Sequence, residues 1–123
     1  MFSISPSLDV NLIKDLLNRT EGHDVSDLAL IIHVDGVPVG VATASFKSKT
    51  AVIEHVGIIE SYRKQGYGDA LTRTLLLKLS EISYTVIVNG NIPYFTRFGF
   101  ETKGDAMTLD VTKLTFPSAC KHN

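Results

Sequence analysis

The chain has 123 residues, 44% of them hydrophobic, and 12 Lys or Arg against 13 Asp or Glu give a formal net charge of −1. That length suits one domain able to bury about two-thirds of its unfolded surface, and the scattered basic residues leave no electrostatic footprint for a nucleic-acid partner. The longest purely apolar run, Leu28 to Ile32, falls far short of the roughly 20 residues that a membrane-spanning helix needs.

Met1-Phe-Ser-Ile-Ser-Pro has no basic start leading into an apolar run, so no secretory signal is visible and a cytoplasmic location is expected. Phe2 to Ile4 reads as a brief edge strand. Ser5-Pro6-Ser7 then predicts a helix start with Pro at the first helical position, and Val10, Ile13, Leu16 and Leu17 form an apolar stripe ending near Thr20. After a polar loop from Glu21 to Asp27, Leu28 to Val34 is a strand. Asp35-Gly36 is a two-residue hairpin turn, and Val37 to Phe46 returns as the partner strand. Lys47 to Thr50 turns the chain into Ala51 to Ile58, a mostly apolar strand.

Arg63-Lys64-Gln65-Gly66-Tyr67-Gly68 follows, and from Asp69 to Ile82 a helix is predicted with Leu71, Leu75, Leu79 and Ile82 on one face. Tyr84 to Val88 is a second buried strand. Asn89 to Pro93 opens a short helix, Tyr94 to Phe98, closed by Gly99. A turn at Gly104-Asp105 then leads into a final strand, Ala106 to Leu114. No repeat or linker interrupts residues 1–123, which read as a single domain.

The glycine loop carries the chemistry. A strand running into a loop that opens a helix exposes a row of backbone N–H groups where the helix macrodipole favours negative charge. Gly66 and Gly68 let the chain turn tightly and let a bulky phosphate approach the backbone, and Arg63 and Lys64 add side-chain charge. The loop lacks the Lys-Ser/Thr pair of a Walker loop, and its glycines do not form Gly-x-Gly-x-x-Gly, so ATP and NAD are poor fits. The lone Cys120 has no fixed His partner and reads as a solvated or packed thiol, not a nucleophile. His23, His33, His55 and His122 have no metal-ligand spacing, and no metal is expected.

Ile58 five positions before Arg63, the Tyr62-Arg63 pair, the Arg-x-x-Gly-x-Gly loop and the Tyr-Phe-Thr-Arg-Phe-Gly-Phe block at 94–100 together resemble the GNAT superfamily of acyl-CoA-dependent N-acetyltransferases. The resemblance covers roughly residues 51–100. It implies an α/β fold with a mixed, mostly antiparallel central sheet, helices on both faces, and a splayed parallel strand pair that forms the acyl-CoA cleft. The chain is short near its front, where the family usually has a longer two-helix segment lining the acceptor site.

The resemblance further implies acetyl-CoA as the acyl donor and an amine as acceptor. The strand carrying Val56, Gly57 and Ile58 would receive the pantetheine arm, and Arg63, Lys64, Gln65, Gly66, Tyr67, Gly68 and Asp69 would hold the pyrophosphate. Asn89 and Tyr94 would flank the distal arm. Glu54 is the first candidate for general base, because Ile-Glu-His-Val at 53–56 is similar to the corresponding strand of amino-sugar N-acetyltransferases. A regular strand puts Glu54 at the same parity as Val56 and Ile58 and turns His55 to the opposite face, which makes His55 the weaker base.

Many family members carry a Tyr four residues before the Gly-Phe pair as the acid that protonates the leaving sulfur. That position is Phe95, so Tyr94 becomes the candidate acid. The acceptor stays open among small amines, amino sugars, amino acids and protein N-termini. So does a homodimer, for which the 106–114 segment is available. The rival to an enzyme is an acyl-CoA-binding sensor without turnover, which Phe95 and the trimmed front favour.

Overall fold

Residues 1–23 and 25–117 are described by the structure, a computed structural model. Among them, β1 (Phe2–Pro6), β2 (Leu28–Val34), β3 (Val37–Lys47), β4 (Thr50–Ile58), β5 (Thr85–Asn89), β6 (Glu101–Lys103) and β7 (Ala106–Asp110) form one sheet in the order β1-β2-β3-β4-β5-β7-β6. Every neighbouring pair is antiparallel except β4 and β5, which run parallel and are joined through α2 (Tyr67–Ile82). The β2–β3 hairpin follows from its turn residues: Asp35 and Gly36 both take positive φ, 50° and 84°, matching the right-handed strand twist.

The two helices lie on opposite faces. α1 (Val10–Arg19) buries Ile13, Leu16 and Leu17, and α2 buries Leu71, Leu75, Leu76 and Leu79. Adjacent residues of β4 address them in turn: a Cβ on Gly57 would run into Thr20 at the end of α1, whereas the Ile58 side chain reaches Gly68 in α2. The fold is the mixed, mostly antiparallel α/β arrangement expected, with its parallel pair in the middle of the sheet.

Several boundaries differ from expectation. Pro6 does not open α1 but ends β1, opposite Leu30, because an edge strand tolerates a residue without an N–H. Asp9 is the cap instead, its carboxylate accepting the Leu12 N–H at 3.1 Å, and Val10 is left exposed. α2 starts at Tyr67, two residues early, since Gly66 in the left-handed region already closes the first turn. Ile82 is exposed and Leu76 takes the buried place on that helix. The final strand stops at Asp110, whose carboxylate accepts from the Thr112 N–H and hydroxyl and starts a 3₁₀ turn over Val111–Lys113. β6, only three residues long, was too short for periodicity to reveal. Cys120 and His122 lie outside the described residues. No helix among those described is long and apolar enough to cross a membrane.

Candidate active site

β4 and β5 stay together for four residue pairs, from Thr50 opposite Thr85 to Ile53 opposite Val88, and then part. β3 keeps pairing with β4 as far as Ile58. From Glu54 onward, one edge of β4 therefore has no strand beside it among the described residues. The gap is a cavity of about 620 Å³ between Ile53–Val56 on one wall and Val88, Asn89 and Ile92 on the other, with Gly68, Asp69, Thr72, Tyr94 and Phe95 completing it. The walls are largely apolar, which suits a long flexible arm bearing a few amides.

The glycine loop closes one end. Lys64 and Gly66 both have positive φ, 65° and 86°, and the first bond of α2 runs from the Ala70 N–H to the Gly66 carbonyl at 3.1 Å. The N–H groups of Tyr67, Gly68 and Asp69 precede that bond, and no described side chain caps the helix. Three donors and the positive end of a 16-residue helix thus converge beside the cleft. The Tyr67 ring packs edge-on against Phe2, with centroids 5.9 Å apart, so Tyr67 offers its backbone to this site. Arg63 is partly committed elsewhere: its Nε donates to the Ile58 carbonyl at 2.8 Å and ties the loop to the end of β4. Lys64, Gln65 and Gly66 are exposed.

Asp69 and Tyr94 form a latch across the cleft. The Tyr94 hydroxyl donates to Asp69 Oδ1, while Arg73 Nε donates to Asp69 Oδ2 at 2.7 Å and Arg97 stacks over the Tyr94 ring at 4.4 Å. Burial pushes the Asp69 carboxyl up, yet the hydrogen bonds from Tyr94 and Arg73 outweigh it and hold Asp69 below the usual carboxylate range. Burial and the Asp69 carboxylate together push the Tyr94 phenol far above its ordinary value. A phenol in that state is a reluctant proton donor. Phe95 is buried, packed edge-on against Phe100 with centroids 5.1 Å apart, and gives the cleft wall no hydroxyl.

β4 is not regular where the sequence reading assumed it was. Ile53 pairs with Ala44 and His55 with Thr43, so Glu54 is an extra residue in a β-bulge. The bulge breaks the alternation that put Glu54 and His55 on opposite sides, and both residues line the cleft. Ser45 Oγ donates to Glu54 Oε2 at 2.7 Å. His55 Nε2 lies 2.8 Å from the Thr20 hydroxyl, and burial, helped by His23 nearby, pushes the imidazole below its usual range.

Glu54 and His55 also line a second cavity, of about 220 Å³, with His23, Ser26 and Thr43. Thr43 is fully buried there, and its hydroxyl has no hydrogen-bond partner among the described residues. Two chambers thus meet at one pair of titratable side chains.

A family model described as Acetyltransferase (GNAT) family matches residues 5–100. The chain belongs to the GNAT acetyltransferase family. Its fold is similar to that of the GNAT family N-acetyltransferase YhbS from Escherichia coli in complex with CoA, at TM-score 0.71 and 19% identity over 90% of this chain and 81% of that one. A GNAT family acetyltransferase from Brucella melitensis in complex with acetyl-CoA gives TM-score 0.68 and 16% identity over 89% and 88% of the two chains. The ribosomal-protein-S18-alanine N-acetyltransferase from Escherichia coli gives TM-score 0.71 and 15% identity over the whole of both. No curated protein matches the chain.

Of the residues singled out from the sequence, Glu54, Val56, Gly68, Asp69, Asn89 and Tyr94 line the large cavity. Gly57, Ile58 and the 63–67 stretch lie beside it along β4 and the loop. Sequence reasoning missed the cleft-facing position of His55, since a bulge leaves no composition signal. It also missed Thr20, Ser26 and Thr43, whose residue types are common in caps, loops and strands. Among the described residues no three His, Cys, Asp or Glu side chains cluster as a metal site would require.

Proposed function

We propose that this GNAT member is an N-acetyltransferase that moves an acetyl group from acetyl-CoA to a primary amine of a small acceptor, by direct attack on the thioester. The observation that carries the reading is the parting of β4 from β5 at Glu54, which gives one continuous cleft between the amides at Tyr67–Asp69 and the Glu54–His55 pair. The CoA bound to YhbS and the acetyl-CoA bound to the Brucella protein support it.

In this reading the diphosphate sits on the N–H groups that open α2, with Lys64 beside it. The pantetheine amides add to the free edge of β4 as an extra strand would. Since Arg63 occupies the Ile58 carbonyl and the Gly57 backbone faces β3 opposite Val41, that pairing falls mainly to Val56 and the Ile58 N–H, and Asn89 faces them from β5. The backbone N–H of Val56 or Ile58 holds the developing oxyanion, a contribution commonly worth about 3 kcal/mol.

An alkyl amine with a pKa near 10.4 is neutral about once in two thousand molecules at pH 7. Glu54 draws the ammonium to the cleft and takes the proton that must leave before attack. The leaving thiolate, with a pKa of about 8.5, departs without a dedicated acid. Tyr94, bound to Asp69, contributes chiefly by closing the cleft. Tyr94→Phe is therefore expected to lower kcat by less than about tenfold, below the 10²- to 10⁴-fold typical of a general acid, while lowering the thermal midpoint. A larger fall in kcat at unchanged acetyl-CoA KM would make Tyr94 the proton donor.

A sensor that binds acyl-CoA without turnover is the second reading, favoured by Phe95 and by the engaged Tyr94 hydroxyl. Incubation with acetyl-CoA and a panel of ethanolamine, glucosamine, spermidine and an alanine-initiated peptide, with free thiol as the readout, separates the two. CoA release above the amine-free rate supports the transferase. Binding of acetyl-CoA with no release from any amine supports the sensor.

A further inference from the structure

The bulge leaves the site with two bases side by side, and the proposed reaction, on which this inference rests, has two protons to remove. Glu54 accounts for the first, lost when the ammonium becomes a free amine. The second appears once the amine has attacked: the new C–N bond leaves a positively charged nitrogen that must shed a proton before the C–S bond can break productively.

We infer that His55 Nδ1 takes this second proton and that Thr20 is the positioning residue that holds the imidazole in the tautomer able to do so. The Thr20 hydroxyl lies 2.7 Å from the Leu16 carbonyl and 2.8 Å from His55 Nε2. It has one proton to share between them. Two bare oxygens 2.7 Å apart would repel, so the proton belongs between Thr20 and Leu16, and the histidine must be the donor in the other contact. His55 therefore carries its hydrogen on Nε2 and its lone pair on Nδ1.

Packing fixes where that lone pair points. A Cβ on Gly57 would stand 2.5 Å from Nε2, and one on Gly22 would stand 3.0 Å from Cδ2, so this edge of the ring is wedged between two glycines and Thr20. The opposite edge, with Nδ1, is the one left for the cavities that His55 lines, and no described residue hydrogen-bonds it. Thr20 can accept from Nε2–H whether the ring is neutral or charged, so the contact survives the transfer.

Among the described residues, the titratable groups sharing the smaller cavity with the ring are His23 from the turn after α1 and Glu54 from β4, while β3 offers the uncharged Thr43, and Asp69 and Tyr94 share the larger cavity with it. Neither cavity is lined by a described Lys or Arg. Burial and His23 keep the imidazole neutral at physiological pH and ready to accept. The step balances: nitrogen gives its proton to Nδ1, the C–S electron pair leaves with sulfur, and the imidazolium then releases its proton to water or to the CoA thiolate.

Two measurements test this. The first needs no substrate: with histidine nitrogens isotope-labelled, long-range proton–nitrogen correlation spectra at neutral pH are expected to show His55 as the Nε2–H tautomer. Thr20→Val should turn it into a tautomer mixture, and Thr20→Ser should preserve it. A Nδ1–H tautomer in the unmodified protein overturns the assignment. The second is the single-turnover rate with acetyl-CoA and whichever panel amine releases most CoA, followed between about pH 5 and 9.

His55→Gln is expected to cost about 10²-fold with acetyl-CoA affinity unchanged, and to remove the acidic limb of the profile. Thr20→Val should cost several-fold and Thr20→Ser should restore the rate. Normal turnover and an unaltered limb in His55→Gln sink this inference alone. Failure of every amine to release CoA from the unmodified protein sinks the transferase reading, and this inference with it.

Discussion

Replacing Gly66 by Glu is expected to reduce CoA affinity by at least about 10²-fold, so that calorimetry with CoA detects no binding at concentrations that saturate the unmodified protein. The site opposite this residue is open: a Cβ built on Gly66 meets no atom within 4 Å. A Glu side chain would therefore extend into the space proposed for the diphosphate, carrying a charge of the same sign toward the N–H groups of Tyr67, Gly68 and Asp69. Each charge-assisted hydrogen bond lost is worth about 1.5–3 kcal/mol, so losing two removes about 3–6 kcal/mol, or two to four decades of affinity at about 1.4 kcal/mol per decade.

Backbone strain has to be separated from this effect. At φ 86° any L residue costs about 1–2 kcal/mol, and Gly66→Ala has that strain without the charge. Both variants should lose similar thermal stability, while Gly66→Ala keeps CoA binding within about tenfold, since its amides remain in place. Unaltered CoA affinity in a folded Gly66→Glu protein would mean that the diphosphate lies elsewhere.

The turn at Gly66 and the helix it opens were legible in the sequence because their determinants are local. Gly66 and Gly68 need no tertiary partner to mark a tight turn, and the apolar periodicity after them marks a helix; the anion site proposed at 63–69 is built on these two features. The same holds for Asp35-Gly36 and the hairpin it makes. Pro6 misled for the converse reason: it fits the first turn of a helix as well as it fits an edge strand, and pairing with Leu30, far along the chain, decides between them.

The acceptor end was the least legible. Whether Glu54 and His55 share a side depends on β3 and β4 being out of step between Thr43 and Ala44, which is a property of two strands together. Thr20 reaches His55 from the end of a helix 35 residues earlier. Tyr94 was the candidate acid because Phe95 lacks a hydroxyl, and Asp69, 25 residues away in sequence, accepts the hydrogen bond from that phenol. In each case a long-range contact redirects a side chain whose type and spacing alone suggested a different use.

Glu54→Gln is expected to lower turnover by about 10²-fold, the lower end of what a positioned base contributes, with CoA affinity essentially unchanged. Gln keeps the size of Glu and can still accept from Ser45 Oγ, so the bulge and the cavity walls should survive. What would disappear is the negative charge proposed to attract an ammonium and the site proposed to take its first proton. The loss should be steepest well below the pKa of the acceptor, where almost every acceptor molecule arrives charged, and should shrink as pH rises and free amine becomes abundant.

That pH trend separates Glu54 from His55. A variant lacking the first base is rescued by alkaline solution, whereas one lacking the second is not, because the charged nitrogen forms only after attack. Steady-state kinetics of Glu54→Gln and His55→Gln across the same pH range therefore make opposite predictions at the alkaline end. If Glu54→Gln turns over at the unmodified rate at every pH, its carboxylate serves only to accept the Ser45 hydrogen bond and stabilise the bulge. The proton chemistry would then rest on His55 alone.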